Sequence, residues 1–281
     1  MNTNRNILEV KDLKIWDIRN DEVIVENVSF NVERGKCLAI VGESGSGKSM
    51  SIKSVNKIHE PWIITEGSIL LDGKEIINIP ESEMSDIRGK KVFVIFQDAM
   101  SSFDPSMKIK NYVTEIVTVN KNIDKNEAYT KMISSMEKVS LKNPEEIMTK
   151  YPHQLSGGML QRIIIALALT LESELIIADE PTTALDTITQ YEVVDEFKRL
   201  VDEQGISMIF ISHDLGVVKK LADHIVVMRK GEVVEKGSKK EIFEHPSSEY
   251  TEYLVNTRKA LGDNYRKFMR NYDDAGSKKF A

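Results

Sequence analysis

Hydrophobic positions follow two patterns along the 281-residue chain, and both are typical of β-strands. Between residues 27 and 33, apolar and polar residues alternate, with Val28, Phe30 and Val32 on one face. Strict alternation predicts a half-buried, antiparallel strand. Elsewhere the apolar runs are short and continuous, at residues 37–41, 92–96, 175–178, 208–211 and 225–228. Because such runs indicate strands covered on both faces, we expect an α/β fold with a mainly parallel sheet.

Helical spacing replaces the strand pattern between about residues 103 and 151. The apolar positions that recur at this spacing are Ile109, Val113, Ile116, Val117, Met132, Met136 and Val139. Such a period predicts amphipathic helices. We therefore expect a helical subdomain, covering about residues 103–170, inserted into the α/β core.

Composition and charge exclude several classes of protein. With 41% apolar and 29% charged residues, the chain resembles an ordinary globular protein and not a disordered or fibrous one. Its net charge of −6, from 38 basic and 44 acidic residues, argues against binding to nucleic acid. The single cysteine, Cys37, excludes internal disulfides and an all-cysteine metal site.

No stretch of the sequence predicts a membrane span. The longest apolar run, residues 163–171, is shorter than the roughly 18 to 20 residues that cross a bilayer. The first residues lack the apolar core of a signal peptide. We expect a soluble, cytoplasmic protein that other chains would hold at a membrane.

A glycine-rich segment, GESGSGKS at residues 42–49, directly follows the apolar run at 37–41 and matches the pattern G-x-x-x-x-G-K-[ST]. Glycines let the backbone wrap around a polyphosphate, and the helix expected at about residues 48–57 directs its positive end at the same charge. Lys48 is predicted to reach the β- and γ-phosphates, and Ser49 to coordinate Mg²⁺. The residues predicted to cradle ATP are Gly42, Ser44, Gly45, Ser46 and Gly47. The alternative is a chance glycine-rich turn.

Two carboxylates, Asp179 and Glu180, end the apolar run that begins at residue 175. Asp179 fits the second protein contact to Mg²⁺ in a P-loop enzyme. Glu180 is predicted to polarise the water that attacks the γ-phosphate. A helix N-cap is the structural alternative for this pair.

A second glycine-rich segment, LSGGMLQ at residues 155–161, precedes the apolar run at 163–171. Alone, Ser-Gly-Gly before a helix is a common N-cap and turn. Its place between the P-loop and the Asp-Glu pair favours a second surface that faces phosphate.

The order of these motifs resembles that of ATP-binding-cassette (ABC) ATPases, from about residue 8 to residue 246. The resemblance implies that Gln97 is the Q-loop glutamine, which senses Mg²⁺ and the attacking water. It also implies that Asp186 belongs to the D-loop and that His213 is the switch histidine. In that family two cassettes close head to tail, with ATP between the P-loop of one and the signature motif of the other. The signature residues that would contact the partner's ATP are Ser156, Gly157 and Gly158.

The resemblance also implies the domain organisation. A P-loop NTPase fold with a mainly parallel core, an antiparallel β-subdomain and the inserted helical subdomain would occupy residues 1–246. Residues 247–281 would form an extension with a basic tail, since residues 258–279 hold seven basic and three acidic residues. We expect a solvated helical tail, with contact to a partner or to lipid as the alternative. Trp16 is expected in the loop after the first strand, where it would stack on adenine, and packing at the sheet edge is its alternative.

Several segments resemble one branch of the family, the importers of oligopeptides, dipeptides and nickel. They are the segments at 97–105, 151–154, 243–246 and 250–254. Residues 156–162 and 176–191 most resemble importers of nickel, cobalt and metal–metallophore complexes. The resemblance implies an importer ATPase for nickel or cobalt, carried as a chelate, with peptide import as the alternative. A non-transport cassette ATPase or another P-loop protein fits the motifs less well.

The resemblance implies partners as well: two permeases, a second ATPase in a heterodimer, and an external binding protein. The chain would lie peripherally on the cytoplasmic face of the membrane and contact no nucleic acid. The stretch from about residue 97 to 150 is expected to dock a permease helix. Its candidate apolar contacts are Phe103, Pro105 and Met107, with burial in the core as the alternative, and a charge at Met100 or Phe103 is expected to uncouple transport. His153 and His224 are expected to be surface or structural residues.

Overall fold

The computed structural model describes residues 5–183 and 185–257, which form a mixed α/β structure. In chain order, the strands are β1 (Asn6–Asp17), β2 (Glu22–Glu33), β3 (Cys37–Val41), β4 (Ile63–Leu71), β5 (Lys74–Glu75), β6 (Val92–Ile95), β7 (Leu175–Asp179), β8 (Ser207–Ile211), β9 (His224–Arg229) and β10 (Glu232–Ser238). The α-helices are α1 (Lys48–Val55), α2 (Glu81–Ile87), α3 (Ile109–Lys121), α4 (Lys125–Lys138), α5 (Pro144–Met148), α6 (Gly157–Leu171), α7 (Thr187–Gln204), α8 (Leu215–Leu221) and α9 (Lys239–Glu244). Residues 249–257 are also helical, and we call them the C-terminal helix.

An antiparallel sheet of four strands has the order β2-β1-β4-β5. The alternating segment at 27–33 lies in β2, where Val28, Phe30 and Val32 are buried. These side chains belong to the same buried cluster as Ile40 of β3, so the sheet covers one face of the core. The predicted half-buried, antiparallel strand is confirmed.

The six-stranded core sheet has the order β10-β9-β3-β8-β7-β6, and only β10 runs antiparallel to its neighbour. All five continuous apolar runs of the sequence lie in its parallel strands. The register pairs Ile40 with Ile211, Ile211 with Asp179, and Ala178 with Ile95. The carboxyl ends of β3, β8, β7 and β6 therefore meet at one edge of the sheet, the edge where α/β proteins bind ligands.

Helices α3 to α6 fall between β6 and β7 in the chain, where the helical spacing predicts them. Val113, Met132 and Met136 are fully buried and share one cluster with the apolar face of α6. α6 is held by this packing and by the capping oxygen of Ser156 at its start. Within residues 5–183 and 185–257, no helix is long and apolar enough to cross a membrane.

The C-terminal helix packs on the core sheet through Tyr250 and Val255, which share a buried cluster with Val41 and Val227. Its entry is fixed by Glu235 of β10, which accepts hydrogen bonds from the amide nitrogens of Ser247 and Ser248 at 2.7 and 3.0 Å. Burial opposes the ionisation of Glu235, but these hydrogen bonds outweigh it and hold the pKa of Glu235 below its ordinary value. The basic tail expected at 258–279 lies outside the described residues.

Candidate nucleotide site

The P-loop joins β3 to α1 and passes close under neighbouring backbone. Gly42 has φ +154°, and a Cβ there would lie 2.1 Å from the carbonyl oxygen of Met228. Gly47 has φ +94°, and a Cβ there would lie 2.7 Å from Cγ2 of Val25. A side chain at either position would displace the loop, so these two glycines are required by space as well as by conformation.

The ammonium of Lys48 lies beneath this loop. Nζ donates to the carbonyl oxygens of Gly42 at 2.9 Å and Glu43 at 2.8 Å, and the residue is 5% exposed. Burial lowers the pKa of Lys48, while the nearby carboxylates of Glu180 and Asp179 act in the opposite direction. The site thus has a buried cation where the sequence predicts contact with phosphate.

Ser49 and Asp179 meet directly, although 130 residues separate them: the hydroxyl of Ser49 donates to Oδ1 of Asp179 at 2.9 Å. Burial raises the pKa of Asp179, and the hydrogen bond from Ser49 counteracts it. One hydroxyl and one carboxylate are hard oxygen donors, and Mg²⁺ is usually bound by one or two such groups together with phosphates and waters. The pair therefore fits Mg²⁺. Across the described ranges, no group of three or more His, Cys, Asp and Glu side chains forms an all-protein metal cage.

Glu180 occupies a strained position at the end of β7. Its φ is +46°, and its amide nitrogen donates to the carbonyl oxygen of Ile211 at 3.0 Å. Its Oε2 accepts from the hydroxyl of Thr183 at 3.2 Å and lies 3.3 Å from Nδ1 of His213. The side chain of Glu180 is 20% exposed and that of His213 is 62% exposed, so a carboxylate and an imidazole meet in an open position. Strained residues of this kind cluster at functional sites.

Gln97 lies two residues beyond the end of β6 and is exposed. Because Ile95 pairs with Ala178, Gln97 leaves the sheet at the same edge as Asp179. The structure brings Gln97 to the edge that holds the P-loop, Asp179 and Glu180.

Trp16 lies inside β1, opposite Val23 and Ile64, and not in a loop after the first strand. The position expected for it is therefore wrong, because β1 continues through Asp17 before the chain turns. The ring is half-buried, and the ammonium of Lys14 lies 5.7 Å from its centroid.

The signature residues gather at the start of α6, beside the D-loop. Ser156 is the N-cap of α6, and its Oγ accepts from the amide of Met159 at 3.3 Å. A Cβ on Gly158 would lie 2.2 Å from Cγ2 of Thr189, whose hydroxyl donates to Asp186 at 2.6 Å. Ser156, Gly157, Gly158 and Asp186 thus form one group, and the neighbours of its glycines come from residues 185–189 and not from the P-loop.

Three residues at the site were missed by the sequence interpretation. Thr183 donates to Glu180; the amide nitrogen of Gly231 donates to the carbonyl oxygen of Ser46 at 3.2 Å; and the hydroxyl of Tyr250 accepts from the amide of Glu43 at 3.3 Å. The glycine between two apolar runs marks a turn at Gly231, but no pattern in the sequence links Tyr250 to a loop 207 residues away.

Among the candidate docking residues, Phe103 is a core residue: it is buried, and its ring lies 5.0 Å from that of Tyr112. Met100 and Pro105 are exposed and Met107 is half-buried. His153 stacks on Tyr151, and His224 begins β9 with its Nε2 3.9 Å from Glu33.

Comparison with known proteins identifies the family. The model of the ABC transporter family matches residues 25–183. The chain is 42% identical to the metal-staphylopine import system ATP-binding protein CntD of Staphylococcus aureus, over 94% of this chain and 97% of that protein. It is also 42% identical to the oligopeptide transport ATP-binding protein OppD of Bacillus subtilis, over 87% of this chain and 70% of OppD.

Solved structures agree with the family. The ATP-binding cassette MJ0796, a dimer in a post-hydrolysis state with ADP and phosphate, matches with a TM-score of 0.72 and 26% identity over 83% of this chain and 98% of that one. The cassette CbiO1 of Clostridium perfringens matches with a TM-score of 0.73 and 27% identity over 86% of this chain and 92% of that one. The expected fold and the expected ATPase class are confirmed. The chain belongs to the ABC transporter family and is one of its nucleotide-binding, ATP-hydrolysing subunits.

Proposed function

We propose that this chain powers an importer of nickel or cobalt, carried as a chelate with a small organic metallophore. The observation that supports this cargo is the 42% identity with a metal-staphylopine import ATPase over nearly the full length of both chains. OppD is as similar in identity, but the match covers only 70% of its length. An importer of oligopeptides or dipeptides is therefore the second candidate.

Chemistry also favours a chelate over a free ion. Divalent first-row metals differ little in the donor types they accept, and their affinities follow one general order at most sites. A small organic chelate presents a shape and hydrogen-bonding groups that a binding protein can recognise. The ATPase contributes nothing to that recognition and supplies the energy for import.

In the nucleotide site, ATP phosphates lie on the P-loop amides from Gly42 to Gly47, and Lys48 exchanges its loop carbonyls for the β- and γ-phosphates. Ser49, Asp179 and Gln97 would hold Mg²⁺, which would neutralise phosphate charge when bound. The 2.9 Å contact between Ser49 and Asp179 supports this assignment. Trp16, on the last part of β1, packs against the adenine.

Glu180 acts as the base that polarises the attacking water. Thr183 and His213 both contact Oε2 of this carboxylate, which supports a fixed orientation of the group toward the attacking water. His213, as the switch histidine, then responds to the presence of the γ-phosphate and couples it to the conformation of the cassette. Removal of such a base typically lowers turnover by about 10²- to 10⁴-fold.

The second half of each site comes from a second cassette. Ser156, Gly157 and Gly158 contact ATP on the P-loop of the partner ATPase, and Asp186 lies between the two sites. Two different ATPases form the pair, two permeases hold it on the cytoplasmic face, and an external protein delivers the cargo. The cassette covers residues 1–246, and the extension covers 247–281.

Docking on a permease involves the exposed residues after β6, among them Met100, which is 40% exposed. We expect Met100→Glu to abolish transport while nucleotide affinity is unchanged, because the charge is placed on the docking surface and not in the P-loop. Ile18→Glu is the matched control, since Ile18 is an apolar residue that is 54% exposed and lies outside residues 97–150. Normal transport by the Met100 variant would place the docking surface elsewhere.

Uptake experiments test the cargo. Cells that lack this gene are supplied with radiolabelled nickel or cobalt, with and without an added chelator, and with a labelled peptide. The expected result is the loss of chelate-dependent metal uptake, restored by the wild-type gene and not by Glu180→Gln. Unchanged metal accumulation together with lost peptide uptake would establish the second candidate.

A further inference from the structure

The C-terminal helix reaches the P-loop through a single buried tyrosine. Tyr250 is 7% exposed, and the guanidinium of Arg229 lies over its ring at 4.6 Å from the centroid. This cation–π contact and the anchoring of Ser247 and Ser248 on Glu235 fix the position of the ring. The hydroxyl of Tyr250 is therefore presented to the P-loop from a rigid support.

The tyrosine hydroxyl bonds to the peptide unit that joins Gly42 to Glu43, and the carbonyl oxygen of that unit, which is that of Gly42, accepts from Lys48 at 2.9 Å. The amide nitrogen of Glu43 donates to the hydroxyl at 3.3 Å, while the carbonyl oxygen of Glu43 accepts from Lys48 at 2.8 Å. Glu43 is thus bound through its backbone on both sides, once by the C-terminal helix and once by the lysine. These bonds form one chain from Tyr250 to the Lys48 ammonium.

Tyr250 packs in one buried cluster with Val41, which directly precedes the P-loop, but the loop beyond Val41 borders an open pocket. A cavity of about 290 Å³ lies between the loop and the C-terminal helix, lined among others by Val41, Glu43, Leu215 and Leu254. The loop has room to move toward the helix at this point. The hydrogen bond from the Glu43 amide to Tyr250 ties the loop to the C-terminal helix, while Lys48 and the Ser46 amide hold the Glu43 carbonyl oxygen from within the loop.

We propose that Tyr250 is a positioning residue for ATP binding: it holds the Glu43 peptide so that the P-loop amides and Lys48 are arranged for phosphate before ATP arrives. This inference rests on the assignment of residues 42–49 as the nucleotide site. It gives the C-terminal extension a function within this chain, since nucleotide affinity depends on the docking of residues 247–257.

The test is Tyr250→Phe, which keeps the ring and removes the hydroxyl. We expect the affinity for a fluorescent ATP analogue with Mg²⁺ to fall about three- to tenfold, the amount that one net hydrogen bond supplies. Hydrogen exchange at the Glu43 amide, measured without nucleotide, should become faster. A purely structural role would lower the unfolding temperature without these two local changes.

Glu252→Gln is the control, because Glu252 is exposed on the same helix and does not line the pocket beside the P-loop. It should leave both readouts unchanged. Arg229→Met provides a second variant that loosens the ring and keeps its hydroxyl, and it should shift affinity and exchange in the same direction by less. Wild-type affinity and wild-type Glu43 exchange in Tyr250→Phe would overturn the proposal.

The Lys48→Ala variant separates this inference from the site assignment. If Lys48→Ala binds the analogue as tightly as the wild type, the nucleotide site itself is wrongly assigned. If Lys48→Ala loses binding while Tyr250→Phe retains it, only the role of Tyr250 is wrong.

Discussion

Two glycine-rich segments each lead into a helix in this protein, and the two helices differ in how their N-termini are capped. At α1, the N-cap is Gly47 and no side chain caps the helix. At α6, the N-cap is Ser156, whose own oxygen accepts from the amide of Met159. Neither helix has an acidic residue in its first turn, so both direct an uncompensated positive end outward. The first start leaves its amides for a ligand, and the second is already partly satisfied by protein.

Their surroundings differ as well. The P-loop has a buried lysine, a hydroxyl–carboxylate pair and the Glu180–His213 pair at the same sheet edge. In the part of the chain that the structure describes, a Cβ added to Gly157 or Gly158 of the signature segment would meet Leu185 or Thr189 beside the D-loop. The chain therefore holds most of one site in the P-loop and only a complementary surface in the signature, which agrees with the proposal that a second cassette completes it.

Lys48→Ala is expected to have the largest effect. Charge-assisted hydrogen bonds contribute about 1.5 to 3 kcal/mol each, so the loss of a lysine that serves two phosphates should weaken ATP binding by 10²-fold or more, roughly, and abolish turnover. Titration of the isolated chain with a fluorescent ATP analogue measures this. Lys90→Ala, which removes an exposed lysine paired with Asp86, is the control.

Glu180→Gln should come next. The variant keeps the shape of the side chain and loses the charge that activates water, so turnover in the assembled complex should fall by at least about 10²-fold with ATP affinity retained. Glu174→Gln is the control, since Glu174 is a carboxylate at the opposite end of β7. A Glu180 variant with normal turnover would exclude Glu180 as the base.

Ser156→Ala addresses the second helix start. Nucleotide affinity of the isolated chain should not change, whereas turnover of the complex should fall about tenfold, which corresponds to about 1.4 kcal/mol in the barrier. Loss of the cap itself costs about 1 kcal/mol of stability. Ser238→Ala controls for that cost, because Ser238 caps α9 in the same way. If Ser156→Ala and Ser238→Ala lower turnover equally, Ser156 acts only as a helix cap.

The last expected effect is on stability and concerns the contact between the signature motif and the D-loop. Gly158→Ala should lower the free energy of unfolding by about 1 to 3 kcal/mol, since its Cβ would overlap with Cγ2 of Thr189. Thr189→Ser removes Cγ2 and retains the hydroxyl that bonds Asp186, so the double variant should recover most of the loss. Urea denaturation measures both. Gly157→Ala, whose Cβ would meet only Leu185 at 3.4 Å, should cost less.

The sequence predicts the segments of this site better than the contacts between them. Strand β3, the P-loop and α1 are adjacent in the chain, so apolar patterning and the spacing of glycine, lysine and serine suffice to place them. Gln97 and His213 were singled out only by the resemblance to the family, and the sequence itself did not show that they lie near Asp179. Trp16 was expected in a loop and lies in β1, because no residue pattern around it marks the end of that strand.

Contacts that depend on tertiary docking were not predictable. Phe103 has the same apolar character as an exposed docking residue, and only the packing of Tyr112 decides that it is core. Tyr250 contacts Glu43 because Glu235 anchors the chain before the C-terminal helix. A hydrogen bond that depends on a third residue on another strand leaves no periodic or local pattern to recognise.

The positive φ of Glu180 lowers the stability of the fold at a residue that the proposed activity requires. A residue with a side chain in this left-handed region costs about 1 to 3 kcal/mol relative to a relaxed backbone, and glycine avoids most of that cost. Variants chosen for heat resistance alone would therefore accumulate glycine or asparagine at position 180, and they would be stable and inactive. Any programme of stabilisation for this protein must be scored on turnover at the same time, because relief of the backbone strain at position 180 removes the proposed base.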